Sequence, residues 1–66
     1  MLTVTRQDGV TTLCMDRPPA NGLNRELVAA LLAAVRAAPG EGARGLLLTG
    51  RPGMFSAGLD VPEMLG

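Results

Sequence analysis

The run Gly45-Leu46-Leu47-Leu48-Thr49 restricts the fold more than any other stretch of this chain. Three leucines in succession, with glycines at 45 and 50, leave no polar side to face water. Such a run reads as a strand buried on both faces, which is the habit of parallel sheets. A parallel neighbour requires a crossover connection, and the preceding residues supply one. Val10 to Met15 reads as a strand, and residues 25–38 as a helix that joins it to the leucine run. Strand, helix, strand over this length is a βαβ unit, expected to be right-handed.

The elements before the leucine run carry their own signals. Leu2-Thr3-Val4-Thr5 alternates apolar and β-branched polar residues, and Asp8-Gly9 is the signature of a type I′ hairpin. An antiparallel hairpin is therefore expected, with Cys14 buried mid-strand; a reactive thiol would want a basic neighbour. Asn24 suits an N-cap, with Glu26 in the first helical turn and Arg36 in the last to complement the dipole. Leu27, Val28, Leu31, Leu32 and Val35 recur at helical spacing as one apolar face, expected to pack in the core. Pro39-Gly40 stops the helix. Asp16-Arg17-Pro18-Pro19-Ala20-Asn21-Gly22 reads as a connector ended by an Asn-Gly turn, although its small residues leave backbone groups open to a ligand.

Composition narrows the function. The 66 residues allow one small domain, which buries only about 60% of its unfolded surface and is marginal alone. Six Arg balance six acidic residues, so no net field favours nucleic acid or a membrane surface. The single Cys14 cannot close an internal disulfide, no apolar run approaches a membrane span, and no signal-peptide pattern opens the chain. A cytoplasmic location is expected on these grounds. There is no Lys for a phosphate loop of the G-x-x-x-x-G-K-[ST] type, and no His for a Ser-His-Asp triad or a metal set, so no metal site is expected.

What remains is the stretch Met54-Phe55-Ser56-Ala57-Gly58-Leu59-Asp60-Val61-Pro62-Glu63-Met64, which follows the leucine strand. Ligands of open α/β sheets sit outside the C-terminal ends of the strands. Asp60 and Glu63 form a capping-box pattern that starts a helix at Asp60. A small-residue turn feeding a helix N-terminus can aim free N–H groups at a developing negative charge. Gly50, Gly53 and Gly58 fit either ordinary loop geometry or a backbone oxyanion site, and the residues alone favour neither. Ser56, with no base to activate it, is read as present for its small size.

The apolar strand ending in Thr49-Gly50, followed by Phe55-Ser56-Ala57-Gly58-Leu59-Asp60-Val61-Pro62-Glu63-Met64, resembles the hallmark F-[SA]-A-G-x-D-[LIV]-x-E-[ML] of the enoyl-CoA hydratase/isomerase (crotonase) family. Asp16-Arg17-Pro18-Pro19-Ala20-Asn21-Gly22-Leu23 is similar to the family's N-R-P-x-x-N-A-L segment, departing from it at Asp16 and Gly22. The resemblance covers the whole chain. Within the family, Arg51 to Asp60 is most similar to the Δ3-Δ2 enoyl-CoA (dodecenoyl-CoA) isomerases.

The resemblance implies an α/β chain forming the N-terminal part of a crotonase fold, the ClpP-like ββα spiral: β-hairpin, helix, buried strand and the start of the site helix. It implies one incomplete domain over 1–66, the N-terminal fragment of a longer protein of fatty-acid metabolism. The backbone N–H of Leu59 maps onto one of two oxyanion donors for a CoA thioester. Ala57, Gly58, Leu59, Asp60 and Val61 map onto the CoA-binding segment, with Asp60 as a helix cap, and Ala20 and Leu23 onto the opposite wall of the groove. Arg17 and Arg51 are candidates for CoA phosphates, although solvated arginines are the simpler reading. Met54 and Met64 are read as packing residues. Acyl-CoA or enoyl-CoA is then the substrate, with no separate cofactor, no nucleic acid and no membrane partner, and full-length members are homotrimers or hexamers. The second donor and the catalytic glutamate have no counterpart here, so the chain alone is not expected to turn over substrate. Isomerisation comes first, hydration second; the reading from another class is a non-catalytic α/β binding or interaction module.

Overall fold

In the computed structural model, which describes residues 1–62, the hairpin is set by two consecutive left-handed residues, Asp8 at φ 54° and Gly9 at φ 79°. That pair is what a type I′ turn requires, and its twist matches that of the strands it joins. It connects β1 (Leu2–Gln7) to β2 (Val10–Met15) in antiparallel register, from Leu2 opposite Met15 to Gln7 opposite Val10. Along β2 burial alternates: Thr11, Leu13 and Met15 are buried, while Val10, Thr12 and Cys14 are not. Only one face of the strand is thus covered. Cys14 lies on the other face, half-buried, with its Sγ 3.6 Å from the carbonyl oxygen of Gly50.

Helix α1 (Arg25–Ala37) supplies the cover. Asn24 has the extended backbone of an N-cap, and its Oδ1 accepts from the Leu27 N–H at 2.9 Å. A cap of this kind stabilises a helix by about 1 kcal/mol. Ala38 is the C-cap, and the next residues form a 3-10 turn, Pro39–Glu41. The proline does not end the chain's winding at once; it tightens it. The left-handed residue that releases the backbone is Gly42, two residues beyond the expected Gly40. Strand β3 (Gly45–Thr49) then pairs parallel with β2, Val10 opposite Gly45 through Cys14 opposite Thr49, giving the sheet order β1-β2-β3. The β2-α1-β3 crossover is as the sequence suggests.

Cys14, expected to be buried, is only half-buried, and two larger expectations fail on burial as well. The strand read as buried is an edge strand, with Leu46, Leu47 and Leu48 between 44% and 51% exposed. The reason is placement: α1 packs over β1 and β2, and among the described residues no strand pairs with β3 on its far side. For the same reason the helical stripe divides. Leu27 is fully buried against the Leu13 and Met15 side of the sheet, while Val28, Leu32 and Val35 are exposed. The core is therefore small: Leu13, Met15, Leu27 and Ala38, with the polar Thr11, Asn21 and Asn24 beside them. Among the described residues no helix is long and apolar enough to cross a membrane.

Because β2 and β3 run parallel, the segments that follow them leave the sheet at the same end. Residues 16–24 and 50–60 meet there. At the opposite end, Arg6 pairs with Glu41 at 2.7 Å and the Arg44 N–H donates to the Gly9 carbonyl at 2.7 Å, closing the connection into β3.

Candidate functional site

The second segment turns back on itself at Pro52-Gly53, with Gly53 at φ 75°; the Arg51 and Met54 backbones exchange two hydrogen bonds of 2.9 Å each. This return lays the Phe55 backbone on Gly50. A Cβ at Gly50 would stand 2.5 Å from the Met54 oxygen and 2.6 Å from both Cα and O of Phe55. Gly50 is thus a close-approach glycine, kept small by the chain's own backbone.

Asn21 joins the segments. It is fully buried and left-handed, φ 51°. Its Oδ1 accepts from the Arg17 N–H at 2.7 Å, and its Nδ2 donates to the carbonyls of Met15 and Phe55 at 3.0 Å each, with that of Met54 further off at 3.4 Å. Its own carbonyl accepts from the Ser56 hydroxyl at 2.7 Å. Ser56 Oγ in turn accepts from the Gly58 N–H at 3.0 Å. The reading of Ser56 as merely small is therefore corrected: the hydroxyl makes two bonds.

A short backbone ladder continues from there. The Ala57 N–H donates to Ala20 O at 2.9 Å, the Leu23 N–H to Gly58 O at 2.9 Å, and the Asp60 N–H to Leu23 O at 3.0 Å. Leu23 and Leu59 form a parallel bridge. In an extended segment, peptide groups alternate sides. Gly58 O and Asp60 N–H face Leu23, so the N–H of Leu59 points the other way. It makes no hydrogen bond among the described residues, and its side chain is exposed. Gly58 sits at φ 99°, and a Cβ there would meet nothing. The glycine is needed for its backbone conformation and not for room, since side chains of L-residues resist that region.

The structure brings Ala20, Leu23, Ala57, Gly58, Leu59 and Asp60 together in this ladder, and Val61 follows, exposed, in helical conformation at 61–62. Their backbone N–H groups are not equally free. The N–H groups of Ala57, Gly58 and Asp60 are all engaged internally, which leaves Leu59 as the open donor of the four. Asp60 precedes the helix, and its carboxylate lies 2.9 Å from Arg17 Nη1; the capping partner Glu63, like Met64, lies outside the described residues. Arg17 also donates to Gly22 O at 3.1 Å. Arg51 donates from Nη1 to Pro19 O at 2.7 Å and sets Nε 3.3 Å from Asp16 Oδ1. Both arginines fasten one segment to the other, so neither is the solvated surface cation it looked like. Asn21 was missed as more than a turn residue. An Asn ahead of Gly signals a left-handed backbone, but nothing local shows that its amide will be buried. Among the described residues no group of three His, Cys, Asp or Glu could hold a metal ion.

The sequence model of the enoyl-CoA hydratase/isomerase family matches residues 5–66. Human mitochondrial enoyl-CoA delta isomerase 1 is 40% identical over 60 residues, covering 88% of this chain and 20% of its own. The protein of Mycobacterium bovis named "probable enoyl-CoA hydratase echA6" is 39% identical over 62 residues, 92% of this chain and 26% of its own. The chain thus spans a fifth to a quarter of the length of these relatives. Among solved structures, an enoyl-CoA hydratase/isomerase family protein of Silicibacter pomeroyi superposes with a TM-score of 0.86 at 37% identity, over 97% of this chain and 28% of that one. The enoyl-CoA hydratase of Thermoplasma volcanium gives 0.84 at 27% identity, over 98% and 27%.

Proposed function

The chain belongs to the enoyl-CoA hydratase/isomerase family and carries α/β elements of its crotonase fold; from that premise we propose that it gives one oxyanion donor, the N–H of Leu59, to an enzyme acting on acyl-CoA thioesters. The observation that supports the reading is the engagement of every backbone N–H from Ala57 to Asp60 except that of Leu59. One donor is left open, on the side away from Leu23, and the segment that carries it is tied down on both flanks.

The chemistry is proton transfer next to a thioester. For isomerisation of a 3-enoyl thioester, a base removes a proton from C2 and the C–H electrons form a C1–C2 π bond, so the carbonyl electrons move onto oxygen. The enolate then collapses as a proton is returned at C4, and the double bond passes from C3–C4 to C2–C3. A prealigned N–H favours the enolate over the neutral thioester and needs no reorganisation as charge appears. Ala20, Leu23, Ala57, Gly58, Asp60 and Val61 form the wall along which the coenzyme A portion lies, with CoA as part of the substrate. The proton carrier in this family is a glutamate that matches no position here, so the share of this chain is binding and charge stabilisation. Hydration of a 2-enoyl thioester is the second reading, motivated by the 39% identity to the mycobacterial protein named a probable enoyl-CoA hydratase.

Replacing the Leu59 amide by an ester in the complete enzyme removes the N–H and leaves the side chain. The expected result is a fall in kcat of about 100- to 1000-fold. The infrared carbonyl band of a bound saturated acyl-CoA, labelled with 13C at the thioester, should also move back toward its frequency in water. An unmoved band and an unchanged rate would overturn the proposal.

A further inference from the structure

We propose that Asn21 and Ser56 are positioning residues for the Leu59 N–H. The inference rests on the oxyanion assignment just made and adds to it the device that aims the donor.

The direction of the relay follows from chemistry. The Asn21 carbonyl can only accept, and the Gly58 N–H can only donate. The hydroxyl of Ser56 between them must therefore give its proton to Asn21, at 2.7 Å, and receive Gly58 on a lone pair, at 3.0 Å. Two things result at Gly58. Its N–H, which would otherwise be a second free donor beside that of Leu59, is withdrawn. The peptide plane entering Gly58 is also fixed, and the φ of 99° turns the next plane so that Gly58 O meets the Leu23 N–H. Leu59 then has one direction left for its own N–H.

Asn21 fixes the other end. Its buried amide holds Met15 O, at the end of β2, and Phe55 O, next to Ser56, so the relay is referred to the sheet and not to a loop. Arg17 and Arg51 add bonds of their own between the same segments, but neither bonds to Gly58 or Leu59. A misplacement of about 1 Å at a catalytic group costs on the order of 100-fold in rate. The donor is a main-chain group with no rotamer to adjust, so this pair determines where it points.

The test uses the complete enzyme carrying Asn21→Asp, Ser56→Ala or Ser56→Thr, with the bound 13C-thioester band, kcat and KM measured together. Asn21→Asp keeps the shape and loses the amide donors; kcat should fall about 10- to 100-fold, with the band moved toward free thioester and KM much less affected. Ser56→Ala should move the band the same way and lower kcat about fivefold, the loss of roughly one hydrogen bond. Ser56→Thr, which retains the hydroxyl, should restore both. If Asn21→Asp does not fold, the Ser56 pair decides. Leu27→Ala is the control, a core lesion that lowers stability, removes none of the hydrogen bonds of the relay and should leave the band in place. A band at the parent frequency in Ser56→Ala, or an equal displacement in Leu27→Ala, overturns the positioning role. If the Leu59 ester moves the band and Ser56→Ala does not, only the relay fails; if the ester itself leaves the band unmoved, the oxyanion assignment falls first.

Discussion

Gly50, Gly53 and Gly45 offer one substitution, Gly→Ala, with three different physical outcomes. At Gly50 the new Cβ would stand 2.5 Å from Met54 O and 2.6 Å from Phe55 Cα and O. All three are main-chain atoms, so no side chain can swing aside. To reach ordinary contact the 54–55 backbone must retreat by roughly 1 Å, the distance by which these contacts fall short of van der Waals separation. That backbone is held by the Asn21 bond to Phe55 O at 3.0 Å and by the paired bonds between Arg51 and Met54. Overpacking of this kind costs about 1–3 kcal/mol, and losing one of those bonds adds about 1 kcal/mol, so a total of about 2–4 kcal/mol is expected. At Gly53 nothing lies within 4 Å, but φ is 75°, so alanine there carries backbone strain of about 1 kcal/mol alone. At Gly45, in β3, there is neither clash nor positive φ, and alanine should stabilise by up to about 1 kcal/mol by removing glycine's excess freedom. With no Trp or Tyr in the chain, the assay is urea unfolding followed by far-UV circular dichroism. With m near the low end for small proteins, about 1 kcal/mol/M, Gly50→Ala should lower the midpoint by about 2–4 M or prevent folding. The order Gly45→Ala above parent, above Gly53→Ala, above Gly50→Ala is the result expected. A Gly50→Ala midpoint equal to that of the parent would refute the claim that the backbone of 54–55 lies against Gly50.

Two further predictions probe the core and the clamp. Leu27→Ala should cost about 2–5 kcal/mol by urea titration because Leu27 is fully buried, whereas Leu32→Ala, at an exposed position of the same stripe, should stay within about 0.5 kcal/mol; equal losses would mean that the helix presents another face to the sheet. The Arg17–Asp60 pair is three-quarters buried and closes at 2.9 Å, so a double-mutant cycle of Arg17→Met with Asp60→Asn should return a coupling of about 0.5–1 kcal/mol that shrinks with added salt. A coupling of zero at low salt would remove the pair from the account of how the segments are held.

The parts of the fold that could be read in advance are those in which neighbours along the chain satisfy one another. Asp8 and Gly9 tolerate positive φ and so make the type I′ turn, and Asn24 reaches the Leu27 N–H three residues on. Apolar spacing marked the strands and the helix, and small residues before Asp60 marked the candidate site segment. Burial was not legible in the same way. Periodicity shows which side chains are apolar, but whether Leu46, Leu47 and Leu48 are covered depends on what packs against β3, and α1 lies over β1 and β2 instead.

The tertiary structure alone decided how the site is held. Asn21 reaches Phe55 across 34 residues, Ser56 reaches Asn21 across 35, and Arg51 reaches Pro19 across 32. No local rule pairs such groups, because each has several polar partners within reach until the sheet brings its two parallel C-terminal ends together. The sequence by itself determined the elements, the turn, the cap and the family to which the chain belongs. Only the folded chain determined that three of the four N–H groups from Ala57 to Asp60 are taken up internally, because only there do Ala20, Leu23 and Ser56 present the acceptors that leave Leu59 as the open donor.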